Sequence, residues 1–292
     1  EIPAFDFDPQ THWDLGPALS IIDFERGVKI SGSRFYVLSG AGARLQRALI
    51  AYMLDLHIKQ GYTEKYTPFM VKTETVYAAG QLPKFAPNLY KDHEEDLYMV
   101  PTAEVPLTGY HMDEIFEDAE LPKAYTAYTP CFRREAGSYG AHVRGLNRVH
   151  QFDKVEIVRV EHPDHTAKAL EEMVDHVKGL LDKLELPYRV LRLCGGDMGF
   201  ASAMTFDFEV YSAAQEKWLE VSSVSRFDTF QANRLKLRFK DHDKKTKLCH
   251  TLNGSALALP RVMAALLENH QHADGRVAVP KALQAYTGFD YI

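Results

Sequence analysis

The chain has 292 residues, 46% hydrophobic and 25% charged, with a formal net charge of -6. Those values are ordinary for a soluble globular protein, with length for one large domain or two small ones. They exclude a protein that coats nucleic acid by bulk electrostatics, though not one with a local basic site. Cys131, Cys194 and Cys249 lie too far apart for a CxxC pair or a zinc-ligand spacing, which points to a reducing cytosol. No apolar run approaches the ~20 residues of a membrane span.

Residues 1–11 read as extended, with Pro3 and Pro9 interrupting them, and residues 15–28 predict a short helix. Residues 32–38 (GSRFYVL) predict a strand. From 43 to 60, Leu45, Leu49, Tyr52, Met53 and Leu56 recur at helical spacing until Gly61 stops the helix. That stripe suits a core or a subunit interface. Residues 66–71 predict a strand carrying Pro68, hence an edge or interface strand, because central strands do not tolerate proline. In residues 97–107 a strand and a proline lead to Thr102-Ala103-Glu104. A Thr and a Glu on a tight turn suit an ammonium group, and equally suit a helix N-terminus.

Residues 129–160 predict an antiparallel hairpin around a loop with Gly137, Ser138, Gly140 and Gly145. Arg133 and Arg134, followed by Glu135, stand at one mouth of the loop, with Arg144 and Arg148 towards the other. Guanidinium groups flanking a Gly-rich loop suit a polyphosphate, which they grip bidentately without losing charge. Phe152, on the returning strand, is placed to stack on a base. A solvated hairpin with surface charges is the alternative at this point.

Residues 163–184 predict an amphipathic helix facing inward through Ala169, Leu170, Met173, Val177, Leu180, Leu181 and Leu184. Strands are expected over 188–194, 205–211 and 218–224. The last carries Glu220 and Ser222 on one face and Ser223 on the other unless a bulge intervenes. Residues 227–238 predict a helix, 238–247 a charged loop, 248–252 a short strand and 256–271 a periodic helix. Pro260 is tolerated early in that helix. Arg261 beside it is costly on an apolar helix unless an anion meets it. The lack of βαβ alternation and of a GxGxxG or GxxxxGK loop argues against a doubly wound nucleotide fold.

FRRE at 132–135, continuing through GSYGAHVRGLNRVHQFDKVE, resembles motif 2 of the class II aminoacyl-tRNA synthetases (about 129–160). LNGSALALPRVMAALLENHQ resembles motif 3 (about 252–271). The 43–60 helix with the Pro68 segment resembles motif 1 (about 41–71). VPTAEVPLT, HQFDKVE and EVSS point, within that class, to the seryl-tRNA synthetase family. The likeness spans residues 1–292 as a single catalytic domain. It implies an α+β class II fold, mostly antiparallel sheet flanked by helices.

The resemblance also implies a ligase that activates L-serine with ATP to seryl-adenylate, releases pyrophosphate and passes serine to tRNA(Ser). Arg133 would bridge the serine carboxylate and the α-phosphate. Glu135 would take the adenine amino group, and Phe152 would stack on the adenine. Arg148 and Arg261 would clamp the γ-phosphate, with Arg134, Val149, Val221 and Ser222 beside the nucleotide. Glu220 and Ser223 would hold Mg²⁺. Glu156 would meet the serine ammonium and hydroxyl, Thr102, Ala103 and Glu104 would close over the amino end, and Ser255 would bond the hydroxyl. A cytoplasmic homodimer without zinc is expected.

The family's runs lead one to expect aspartate near His142 and asparagine near Arg226. The family's N-terminal coiled coil is also not found, since no heptads are sustained, so the expected unit is the catalytic domain alone. Two alternatives follow from the same residues. One is a paralogue passing activated serine to an acceptor other than tRNA; the other is an inactive binding module.

Overall fold

The computed structural model describes residues 2–138, 140 and 143–292. Helix α1 (His12–Ala18) and helix α2 (Phe24–Ser31) replace the one helix expected over 15–28. The break has local causes. Gly16 packs so tightly on Ile22 that a Cβ has no room, Ser20 adopts a left-handed φ of 58°, and the Asp23 carboxylate caps α2 by accepting from Arg26 N at 2.8 Å. Strand β1 (Ile22–Asp23) pairs with β2 (Val37–Leu38), so only the end of the 32–38 segment is a strand. Helix α3 (Gly40–Lys59) is the expected one and buries Leu45, Leu49, Tyr52 and Met53.

After β3 (Thr63–Glu64), strand β4 (Met70–Lys72) pairs with β5 (Leu97–Met99) in a separate ribbon. Pro68 therefore precedes its strand rather than lying in it, as a residue without an N–H does most cheaply. Helix α4 (Thr73–Ala78) lies between those strands, and helix α5 (Glu104–Gly109) starts at the Glu of Thr102-Ala103-Glu104, where Glu104 N donates to Thr102 Oγ1 at 3.2 Å. The expected hairpin is β7 (Lys123–Phe132) with β8 (Gln151–Glu161), after β6 (Ile115–Glu117). Helix α6 (Thr166–Lys183), β9 (Tyr188–Arg192), β10 (Met204–Ser212) and β11 (Lys217–Asp228) follow.

Three expectations fail in the last third. Helix α7 covers only Phe230–Leu235, because β11 keeps pairing through Asp228 and Lys236 turns left-handed. The charged loop of 238–247 is a hairpin of β12 (Arg238–Lys240) and β13 (Thr246–Leu248), pinned by fully buried Phe239. Strand β14 (His250–Ala258) takes in Asn253-Gly254-Ser255, so helix α8 (Leu259–Asn269) starts three residues late, with Pro260 in its first turn. A strand paired on both sides reads as a continuous apolar run, which periodicity alone does not separate from a buried helix. Helix α9 (Lys281–Thr287) follows.

The main sheet has the order β3-β7-β8-β14-β11-β10-β9. Its pairs are antiparallel except β3 with β7. One face carries Val155, Ile157, Phe208, Leu219, Val221, Val224 and Leu252, which join α3, α6 and α8 in the principal core. By period-two alternation, the other face presents Phe152, Lys154, Glu156, Asp207, Asn253 and Ser255.

Candidate active site

That polar face floors a cavity of ≈ 470 Å³. Thr102, Glu104, Arg133, Glu135, Arg148, Val149, Phe152, Glu220, Val221, Ser222, Ser223, Ser255 and Arg261 all line it. They come from five separate stretches of chain. Arg134 is exposed and outside its walls; Ala103 and Glu156 are fully buried behind them.

The arginines approach from three elements. Arg133 follows β7; its Nε donates to Pro101 O at 3.1 Å, and its guanidinium lies 5.2 Å from the centroid of Phe152. Arg148, at the far end of the loop, donates to Glu135 Oε2 at 2.8 Å. Arg261 enters from the first turn of α8, where its Nε donates to Asn147 O at 3.0 Å and its Nη1 to Glu220 O at 2.7 Å. Burial pulls the Arg261 guanidinium below its ordinary value, with the Glu220 charge opposing and the Arg148 and Arg133 charges adding to the fall. Three guanidinium groups sharing one cavity repel each other, so the site favours an anion.

At the other end the polar groups are buried and interlocked. Glu156, with no exposure, accepts from Thr102 Oγ1 and Asn253 Nδ2, each at 3.0 Å, and pairs with Lys154 Nζ at 2.5 Å. Lys154 also donates to Ser255 Oγ at 3.2 Å. Burial, with the Glu156 charge adding to it, lifts the Glu104 carboxyl to about 7. Gln231 Nε2 holds that carboxylate at 2.7 Å and also donates to Ala79 O at 3.0 Å, while Gln231 Oε1 accepts from Thr251 Oγ1 at 2.7 Å.

The bulge left open by the alternation is real. Phe208 pairs with Ser222 and Glu209 with Glu220, so Val221 is an extra residue in β11. Leu219, Val221 and Val224 all reach the core, and Glu220 and Ser223 both face the cavity. Asp207 lies opposite Ser223. Burial raises its carboxyl to about 6, Ser223 opposes that by hydrogen bonding, and Asp207 Oδ1 has no partner. Among the described residues no three His, Cys, Asp or Glu side chains are gathered to hold a metal. Arg226 pairs with Asp228 at 3.5 Å, off the cavity, and His142 lies outside the described residues.

The profile of the tRNA synthetase class II core domain (G, H, P, S and T) matches residues 85–270. The serine--tRNA ligase of Salinibacter ruber is 52% identical over 99% of this chain and 68% of its own length. That of Roseiflexus castenholzii is 55% identical over 98% of this chain and 68% of its own. The chain belongs to the serine--tRNA ligase family. A crystal structure of seryl-tRNA synthetase from Pyrococcus horikoshii, complexed with ATP, superposes with a TM-score of 0.97 at 41% identity, covering all of this chain and 66% of that one. The chain thus spans about two thirds of the relatives it matches.

Within this serine--tRNA ligase fold, the cavity also holds residues that the sequence reading did not single out. Lys154 and Asn253 each stand two residues from an assigned one, on the same face of a strand, so alternation from Phe152 and Ser255 was a usable signal. Asp207 lay in a cleanly alternating run. Gln231, buried behind the wall where it holds Glu104, gave no local signal, because its partners Ala79 and Glu104 are 152 and 127 residues away.

Proposed function

We propose that the chain activates L-serine with ATP. The observation that carries this reading is the meeting of Arg133, Arg148 and Arg261 on one cavity whose far end is built from Thr102, Glu104, Lys154, Asn253 and Ser255. A serine carboxylate oxygen attacks the α-phosphorus, the bond to the β-phosphate bridging oxygen breaks, and pyrophosphate leaves. The chain supplies charge and alignment rather than a covalent intermediate. Arg133 lies between the two anions that must approach. Phe152 offers the adenine a face and Glu135 an acceptor, while Arg148 and Arg261 hold the outgoing phosphates, with Arg134, Val149, Val221 and Ser222 around the nucleotide. Glu104 and Thr102, over buried Ala103, receive the ammonium. Glu156 serves the same end by orienting Thr102, Lys154 and Asn253, and Ser255 takes the hydroxyl.

Glu220, Ser223 and the unpartnered Asp207 oxygen form an all-oxygen donor set that fits Mg²⁺. That ion would neutralise phosphate charge. A ribose hydroxyl at the 3′ end of tRNA(Ser) then attacks the activated carbonyl, and AMP leaves. Ile58, Tyr66 and Met70, exposed around the motif 1 segment, support a homodimer through that face. No helix among the described residues is long and apolar enough to cross a membrane; with the family membership this supports a cytoplasmic enzyme. Relatives named serine--tRNA ligase at over half identity weigh against an inactive module and against another acceptor.

The test is pyrophosphate release from ATP with serine, alanine or threonine. A site that bonds a hydroxyl disfavours the analogue lacking it by ~10⁴–10⁵, so alanine should support almost no release, while threonine, which keeps the hydroxyl and adds a methyl group, should be disfavoured by the room it needs and by a smaller factor. Equal release with alanine contradicts the reading.

A further inference from the structure

A buried polar chain runs from α1, behind the cavity, to Asn147 and Arg261 on its wall. Glu268, on α8 and without exposure, accepts from His12 N at 3.0 Å, from Gln215 Nε2 at 3.0 Å and from Ser212 Oγ, and its Oε1 lies 2.7 Å from His12 Nδ1. Burial alone would raise the Glu268 carboxyl; the bonds from His12 and Ser212 outweigh it and hold it below its ordinary value. On the opposite ring edge, His12 Nε2 accepts from Leu146 N at 2.9 Å. An accepting Nε2 leaves the proton on Nδ1, which donates to Glu268, so one neutral tautomer satisfies both contacts.

Gln215 carries the chain onward. Its Oε1 accepts from Asn147 Nδ2 at 2.8 Å, and Asn147 O accepts from Arg261 Nε at 3.0 Å. Leu146 and Asn147 run directly into Arg148. The entry to this segment is shaped to His12 as well. Gly145 has a φ of 63°, and a Cβ there would collide with His12 Nε2. The Arg144 guanidinium lies 4.8 Å from the centroid of Trp13.

We propose that His12, Glu268 and Gln215 are positioning residues that set Arg148 and Arg261 for the terminal phosphate of ATP. This rests on the reading of those two arginines given above. Guanidinium forks bind phosphate well only at the right distance and angle, and neither arginine is aligned by its own helix or strand alone. His12 holds the Leu146 backbone N–H, Gln215 holds the Asn147 side chain, and Asn147 O holds Arg261 Nε. His12 and Gln215 both bond the Glu268 carboxylate.

The test compares His12→Asn, His12→Gln and Gln215→Leu in serine-dependent ATP–pyrophosphate exchange, with hydrogen exchange at the Leu146 and Asn147 amides. An Asn amide replaces Nδ1 but does not reach Leu146 N, whereas a Gln amide reaches it. His12→Asn and Gln215→Leu should raise KM for ATP roughly fivefold or more, the scale of one lost hydrogen bond, with KM for serine unchanged. His12→Gln should restore much of the ATP affinity, and Leu146 amide exchange should quicken in His12→Asn alone among the His12 variants. The proposal is overturned if KM for ATP stays put, or if both KM values rise in proportion, as a general loosening would produce. Should the unaltered chain show no exchange activity, the catalytic reading fails, and the proposal fails with it. Amide protection at Leu146 then still tells whether His12 holds the segment.

Discussion

Glu220 and Ser223 face one cavity although they lie three residues apart in a strand, because Val221 is an unpaired extra residue in β11. A regular strand would turn one of them into the core. The bulge thus converts a run of Glu, Val, Ser and Ser into two oxygen donors on the polar side and one valine on the apolar side. Glu220→Gln keeps the shape and removes the charge. The Mg²⁺ concentration for half-maximal exchange should rise roughly 10–100-fold, with a smaller rise for Ser223→Ala. An unchanged Mg²⁺ titration would remove both residues from cation binding.

Glu104 titrates near neutrality because it is buried beside Glu156. An ammonium ligand favours its charged form. Serine binding should therefore strengthen as pH rises through about 7 and weaken by up to about tenfold per unit below it. The same shift acts on folding with the opposite sense. Native Glu104 holds a proton that the unfolded chain releases near 4.5, so its contribution to stability is full below that value and is lost as pH rises to about 7. Glu104→Gln should flatten the serine pH profile, measured as KM, and remove that slope from thermal unfolding. A serine profile unaffected by the substitution would exclude Glu104 from the ammonium site.

The Lys154–Glu156 pair is almost wholly buried, at 6% and 0% side-chain exposure. Removing one partner leaves a buried charge with too few bonds, which costs ~3–5 kcal/mol. Lys154→Met should lower the unfolding free energy, extrapolated from urea titration, by that amount. Adding Glu156→Leu should recover part of the loss, because the remaining bonds of Thr102 and Asn253 go unmet. A Lys154→Met protein as stable as the original would mean that Glu156 takes up a proton or finds another partner at little cost.

Much of the site was legible because it repeats every second residue. Phe152 to Glu156 on β8 display their polar face in the bare sequence, and α3 announces itself by its apolar stripe. Helix and strand ends were less legible where pairing decides them. The last three residues of β14, up to Ala258, read as the start of a helix until β8 and β11 are known to flank the strand, and α1 and α2 merge until Asp23 is seen to cap. Contacts between distant stretches left no trace at all. His12 and Glu268 are 256 residues apart, and neither residue type nor spacing couples them.

Serine-dependent exchange of pyrophosphate into ATP, run on the unaltered chain and on Arg133→Ala, tests the central claim most directly. On the proposed reading Arg133 bridges the serine carboxylate and the α-phosphate, so exchange should be readily measured with serine and fall by roughly 10²–10³-fold in the variant, the scale for removing one preorganised donor. Exchange that is absent with serine, or that survives Arg133→Ala undiminished, would contradict the account.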